Sequence, residues 1–549
     1  MIGIVAPQTY RPSFLLLALA MTFLAYPARR GTGARVTAID WVLIALSVAA
    51  LVWPIADADR FIYRAATPGA IDLALGAVLV VLVLEATRRT VGWILPVTAV
   101  LFLAYAYAGP LLDRIGLSLI AHRGYATERV IGTLYMTLEG IMGVPLDVAA
   151  TYIVLFTIYG AVLEHGGAGR FFVDWAMAAI PRSRHGAGPG RTVTLAGYLL
   201  GTVSGSGVAT TVMLGSVAWP MMRRAGYPAD TGGAMLAAAG IGAILSPPVM
   251  GAAAFLIAEF LGITYFDVMK MALIPSALYY VSILVMVEAD SRRLALRESD
   301  EPARSFAAVT RDGWHHFASL AAVVVLMARG MTAFRAVFWA TVMAVGLSFV
   351  TREHALWPRR LFAALAAGGA QVVPVVATTA AAGIIVGIVT LTGLGLKAAG
   401  LIVTLAGGQL LLTVLFSAVA VWVLGLAVPV TASYIIAAVM VAPALTQVGV
   451  PPAAAHMFIF YYAVLSEVSP PTALSPFAAA AVTGGNPFRT TMLSWKYTAP
   501  AFMVPLVFTL SPRGSALLMQ GSLFDVVWMT ALVALGLAVY SRIVGGRRQ

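Results

Sequence analysis

Apolar runs follow one another along almost the whole chain. Leu15–Leu24, Trp41–Pro54, Ile71–Leu84, Trp93–Ala108, Met331–Val350 and Phe524–Tyr540 are the clearest. Each is the core of a segment that can reach the ~20 residues needed to cross ~30 Å of hydrocarbon. By that criterion the chain holds roughly 14 to 16 spans or half-spans. The runs are continuous rather than alternating, which excludes a transmembrane β-barrel and predicts an all-α polytopic membrane protein. The first run ends in "YPARR" instead of a small-residue cleavage site, so it reads as a retained span.

The pattern changes along the chain. Residues 1–112 hold four well-separated spans with short polar connections, as expected of a small domain of packed helices. From about Tyr125 the apolar segments become rich in Gly, Ser, Thr and Pro and are repeatedly interrupted. The polar stretch at 288–313 divides this interrupted region into a first repeat, 113–287, and a second, 314–549, which also carries the C-terminal spans. Pro220, Gly226, Pro228, Ser246, Pro247 and Pro248 recur as Pro443, Gly449, Pro451, Ser469, Pro470 and Pro471, each displaced by 223 positions. Upstream, Gly167-Ala168-Gly169 answers Gly393-Leu394-Gly395 with a three-residue slip. Shared spacing of this kind marks an internal repeat.

Within the repeats the apolar runs are broken. "GAILSPPVMGAAAF" places Ser246, Pro247 and Pro248 inside one run, and "VLSEVSPPTALSPF" places Glu467, Ser469, Pro470, Pro471 and Thr472 inside another. Proline removes a helix donor and costs about 3 kcal/mol in a helix interior, so a pair of prolines ends the helix. Two further stretches mix glycine with hydroxyls or proline. One is "GTVSGSGVATT", with Ser204, Gly205, Ser206, Thr210 and Thr211; the other is "GLAVPVTASY", with Gly425, Pro429, Thr431 and Ser433. Unwound backbone at membrane depth survives only where protein, water or a bound ion satisfies its N–H and C=O groups. Paired breaks in a repeated membrane chain therefore point to the ion and substrate site of a secondary transporter. Freed carbonyls suit a hard monovalent cation, and half-helix N-termini suit a carboxylate.

With 60% hydrophobic and 11% charged residues, the composition lies far from that of a soluble globule. The formal charge of +12 resides in short arginine clusters between spans, such as Arg88-Arg89, Arg223-Arg224, Arg292-Arg293 and Arg359-Arg360. This is the pattern of cytoplasmic loops and not of a nucleic-acid surface. Cysteine is absent, which excludes disulfides, thiolate metal sites and a cysteine nucleophile. There is no Walker A loop and no His-Glu-x-x-His motif. An intramembrane serine hydrolase using Ser206 and His456 lacks the flanking Gly-x-Ser-x-Gly pattern. Ionisable residues inside apolar stretches are functional candidates by default. They are Glu139, Asp147, Glu164, Glu259, Lys397, His456 and Glu467, with Glu467 the sharpest because it stands two residues before Ser469. Glu164 and Glu259 also fit a span end, and His456 a helix start at the interface.

The stretches "EGIMGVPLDVAATYIVLFTIYGAVLEHGGAGRFF", "GTVSGSGVATTVMLGSVAWPMMRRAGYP" and "VAPALTQVGVPPAAAHMFIFYYAVLSEVSPPTALSPFAAAAVTGGNPF" closely resemble the fused membrane component of TRAP (tripartite ATP-independent periplasmic) transporters of the TAXI type. The resemblance runs from about Leu15 to about Pro512. It implies a four-helix small domain fused to an inverted-repeat, elevator-type transporter domain in a bacterial inner membrane. It also implies sodium as coupling ion, an organic acid as substrate, and a separate periplasmic binding protein; no other cofactor is implied. Carried onto this chain, it puts sodium near Ser204, Ser206, Gly242, Gly425 and Thr431. The same carry-over leaves open which stretches are hairpin tips and which are broken helices. Two departures stand out. Gly240–Ile244 replaces a run that usually carries hydroxyl and amide side chains, and Gly425–Ala432 loses a threonine, so backbone carbonyls must supply oxygens there. A channel or a non-transporting scaffold subunit is the alternative reading.

Overall fold

A computed structural model describes residues 5–28, 35–180, 186–294, 296–297 and 305–546. Every regular element among them is helical. The main helices, in chain order, are α1 (Pro7–Ala25), α2 (Ala38–Ala56), α3 (Ala70–Val91), α4 (Ile94–Arg114), α5 (Ala168–Ala179), α6 (Gly188–Ser204) and α7 (Gly207–Arg224). Next come α8 (Ala229–Leu245), α9 (Ala253–Leu261), α10 (Tyr265–Arg293), α11 (Phe306–Ala328), α12 (Ala333–Leu347) and α13 (Pro358–Thr392). The rest are α14 (Leu394–Leu405), α15 (Leu410–Ala427), α16 (Val430–Met440), α17 (Pro452–Val464), α18 (Leu474–Thr483), α19 (Pro487–Leu510) and α20 (Leu523–Gly546).

Eight helices among the described residues are long and apolar enough to cross a membrane, and several apolar helices are only 10–17 residues long. At 1.5 Å per residue these reach about 15–25 Å, too short to cross alone. They are the half-spans that the breaks and two-residue turns create.

The chain forms two compact units, Met1–Val154 with Gly369–Gly449, and Leu155–Gly368 with Val450–Gln549. In the first, a Thr37–Asp40 capping box starts α2. Arg89 reaches from the last turn of α3 to Asp40 at 2.6 Å, and both side chains are buried. Tyr135 donates to the Ala50 carbonyl at 2.6 Å, and Tyr125 donates to that of Leu391 at 2.6 Å. Two ionisable residues that sequence marks as functional candidates are structural here. Asp147 pairs with Arg11 at 3.0 Å, and Lys397 donates to the Ala121 carbonyl at 2.5 Å. The sequence marks them because burial is costly; the partners that offset that cost are 136 and 276 residues away.

The second unit is built around α8, in which every residue from Thr231 to Leu245 is buried. A helix apolar on all sides belongs inside, and its Ala and Gly content lets neighbouring backbones close in. A Cβ added at Gly197 or Gly201 of α6 would stand 2.8 Å from Ala239 Cβ or 2.6 Å from Ala243 Cα. Glu288–Arg293, from the polar stretch, completes α10 rather than forming a loop. There Asp290 is buried and accepts from Lys496 Nζ at 2.6 and 2.7 Å and from the Tyr497 hydroxyl at 2.5 Å.

The 223-residue offset is reproduced in backbone geometry. Gly226 and Gly449 have φ of 93° and 92°. Pro228 and Pro451 cap α8 and α17. Pro247–Pro248 and Pro470–Pro471 are both cis, and Met250 and Ala473, also 223 apart, are left-handed with φ of 50° and 34°. Ser246 donates to Gly242 O at 2.7 Å, and Ser469 donates to Leu465 O at 2.8 Å. Farther upstream, left-handed Gly167 and Gly393 open α5 and α14, both of 12 residues.

Candidate functional site

The four interrupted stretches resolve into two kinds. Ser204–Ser206 and Gly425–Thr431 are turns of helical hairpins: α6 and α7 pack together across Gly205-Ser206, and α15 and α16 across Val428-Pro429. Gly242–Pro248 and Ser469–Thr472 are discontinuities within helices, α8 giving way to α9 and α17 to α18.

In the second unit one hairpin tip meets both discontinuities. Gly205 is left-handed at φ 60°, and a Cβ there would fall on the Met250 carbonyl oxygen and 3.4 Å from Val249 Cγ1. Only glycine combines that φ with that approach. Ser206 caps α7, its Oγ accepting from Ala209 N at 3.4 Å, and its side chain is exposed. Gly207, the first residue of α7, faces the other break, where an added Cβ would fall on Glu467 Oε2 and 3.2 Å from Ser475 Oγ.

Glu467 is half-buried and accepts from Ser475 Oγ at 2.9 Å. Among the described residues it has no ion-pair partner. Instead it lies against the first residue of α7 and bonds the second of α18, where unpaired amides and the helix dipoles favour negative charge. Sequence alone marked Glu467 and the Gly205-Ser206-Gly207 turn but missed Ser475. The signal for Ser475 was its place one residue inside a helix that restarts after the prolines.

The Ser-Pro-Pro segments are satisfied locally. At the first, Ser246, Pro247 and Pro248 are buried, and Tyr265 donates to the Pro248 and Val249 carbonyls at 2.8 and 2.7 Å. At the second, Ser469 is buried and Pro471 exposed. Thr472 Oγ1 donates to Ser466 O at 3.0 Å, and Trp495 Nε1 donates to Val468 O at 2.8 Å. Ser246 and Ser469 spend their hydroxyl protons on their own helices, which leaves oxygen lone pairs as acceptors. Beside the tip, the Thr210 and Thr211 hydroxyls are buried without a hydrogen-bond partner among the described residues. Gly240 leaves room for Thr211 Oγ1, which a Cβ at that position would strike.

Gly425, Pro429, Thr431 and Ser433 belong to the first unit. Pro429 caps α16, and Ser433 donates to the Val428 carbonyl at 3.1 Å. Of the other flagged ionisable residues, Glu139, Glu164 and Glu259 are exposed. His456 stands one turn inside α17 with its ring stacked on Phe260 at 6.0 Å.

Comparison with known proteins gives the family. Over 333 residues, 58% of this chain and 73% of the other, the sequence is 24% identical to the 2,3-diketo-L-gulonate TRAP transporter large permease protein YiaN of Escherichia coli (strain K12). It is 37% identical over 93 residues to the C4-dicarboxylate TRAP transporter large permease protein DctM of Pseudomonas aeruginosa, covering 17% of this chain and 21% of that one. Among solved structures, the YdaH transporter of Alcanivorax borkumensis matches with a TM-score of 0.48 at 15% identity, over 81% of this chain and 97% of that one. The model of the tripartite ATP-independent periplasmic transporter DctM component matches residues 78–513, and the chain belongs to that family.

Proposed function

We propose that this chain is the membrane permease of a TRAP system that imports an organic acid with an ion gradient, sodium being the coupling ion, and that it receives substrate from a periplasmic binding protein of the TAXI type. The chain is a multi-pass inner-membrane protein. The relatives' names specify 2,3-diketo-L-gulonate and C4-dicarboxylates. Both are carboxylates, and only that chemical class is carried over.

The observation that supports this reading most is the contact of one hairpin tip, Gly205–Gly207, with Met250 at one discontinuity and Glu467 at the other. A tip held between two breaks brings helix-end carbonyls, each with a lone pair to spare, and half-helix N-termini to one place, the combination that recognises a cation and an acid together. The unpartnered hydroxyls of Thr210 and Thr211 fit such a place, because a buried hydroxyl without a partner costs about 1–3 kcal/mol that a bound ion or water offsets. In this proposal Ser204, Ser206 and Gly242 supply sodium oxygens in the second unit, Gly425 and Thr431 supply them in the first, and the Ser469–Thr472 break faces the substrate. The two repeats then work as an inverted pair in an elevator movement.

The test is uptake by proteoliposomes supplied with purified binding protein. Uptake should saturate and should need both the ion gradient and the binding protein; flux with neither requirement marks a channel. Ser206→Leu, at an exposed tip position, should abolish uptake while leaving the amount of folded protein unchanged. Wild-type uptake in that variant would remove Ser206 from the site.

A further inference from the structure

Three arginines from three helices converge at one end of the second unit. Arg191 lies in the first turn of α6, Arg292 in the last turn of α10, and Arg542 near the end of α20. They line a cavity of about 590 Å³ whose apolar wall is made by Val281, Leu284 and Val285 of α10. Glycines let the helices close around it. A Cβ at Gly545 of α20 would stand 2.6 Å from Ala289 Cβ, and one at Gly190 of α6 would stand 2.6 Å from Val287 Cγ1.

The charges do not balance. Among the described residues Glu288 is the one acid lining the cavity; it bonds Arg191 and stands 3.3 Å from Arg292. Arg542 is exposed and has no ion-pair partner among the described residues. One carboxylate against three guanidiniums makes the cavity a cationic receptor. An arginine fork matches phosphate geometry particularly well.

The shape adds a second requirement. On α10, Val281, Val285, Glu288 and Arg292 follow one another at helical spacing, so one face carries a stripe about 16 Å long that is charged at Glu288 and Arg292 and apolar over the roughly 6 Å from Val281 to Val285. On α20, Leu535 and Val539 precede Arg542 on one face and are 65% and 50% exposed; Val281 is 48% exposed. A free anion would leave the cavity's apolar wall of Val281, Leu284 and Val285 uncovered. A molecule with a phosphate head and a hydrocarbon tail covers both parts.

We propose that this cavity binds an anionic glycerophospholipid, its phosphate among Arg191, Arg292 and Arg542 and an acyl chain along α10 and α20. The leaflet follows from charge. Arg223 and Arg224 end α7, and Arg297 N bonds the Ala225 carbonyl at 3.0 Å, so the arginine-rich ends of α7 and α10 lie together. Such an end faces the cytoplasm. Basic pockets between transmembrane helices on that side recognise anionic headgroups.

Native mass spectrometry of the full chain in detergent, titrated with phosphatidylglycerol or phosphatidylcholine, tests this. The wild type should retain phosphatidylglycerol preferentially. Arg292→Gln with Arg542→Gln should weaken that binding roughly 25-fold, about fivefold for each guanidinium, without changing phosphatidylcholine binding. Arg542→Gln alone, at an exposed position, should give about fivefold, and Arg292→Lys with Arg542→Lys should keep most of the affinity. Equal retention of the two lipids by the wild type would overturn the proposal. So would unchanged phosphatidylglycerol affinity in the glutamine variants, or displacement of the lipid by millimolar inorganic phosphate.

Discussion

Gly207→Ala adds one methyl group at the point where the hairpin tip meets the second helix break. The new Cβ would fall on Glu467 Oε2 and stand 3.3 Å from Glu467 Cδ and 3.2 Å from Ser475 Oγ. Either α7 backs away or Glu467 turns from Ser475. The first is overpacking, which costs about 1–3 kcal/mol. The second leaves a half-buried carboxyl without its Ser475 hydrogen bond, about 1–3 kcal/mol. The cheaper route sets the loss, and alanine's lower unfolded-state entropy returns about 0.4–1 kcal/mol of it. A net penalty of about 0.5–2 kcal/mol lowers the ratio of native to displaced tip by roughly twofold to 30-fold. Gly400→Ala in α14 is the control, because a Cβ there meets nothing within 4 Å. Initial uptake in proteoliposomes and the unfolding midpoint in detergent should both fall for Gly207→Ala, and neither should fall for Gly400→Ala. Combining Gly207→Ala with Glu467→Ala should give a non-additive pair, with a coupling of about 0.5 kcal/mol or more. Wild-type uptake and melting in Gly207→Ala, or strict additivity in the cycle, would refute the contact between tip and break.

Two further outcomes follow from buried ion pairs. Asp290→Asn strands Lys496, whose side chain is only 5% exposed. Removing one partner of a buried pair costs about 3–5 kcal/mol, so a marked drop in melting temperature is expected, with partial recovery when Lys496→Met is added. Arg89→Gln leaves Asp40 fully buried without its guanidinium and should destabilise by a similar amount, read as earlier unfolding in the same melting assay.

The breaks were legible because their causes are local. A Pro-Pro pair ends a helix wherever it stands, so two such pairs 223 residues apart announced both discontinuities and their shared spacing. The backbone agrees down to the left-handed residues Met250 and Ala473, neither of which is a glycine and neither of which sequence singles out. Ionisable residues were read less well. Asp147 and Lys397 looked exceptional because burial of charge is costly, and Asp290 went unremarked inside a polar stretch. In the fold the first two are held by Arg11 and a carbonyl, and the third is the centre of a buried cluster. A charge's role depends on a partner that chain distance does not reveal.

Sequence by itself determined that this is a helical membrane chain, that its helices stop at the two Ser-Pro-Pro segments, and that six positions recur 223 residues later. Apolar run length and proline chemistry act within a few residues and need no fold. Only the tertiary structure decided that Gly205-Ser206 is a hairpin tip while Ser246–Pro248 is a break within a helix. It alone placed that tip against Met250 and Glu467, and gathered Arg191, Arg292 and Arg542 around one cavity. Those are contacts between segments up to about 350 residues apart, set by which small residues let which helices approach, and no local pattern encodes them.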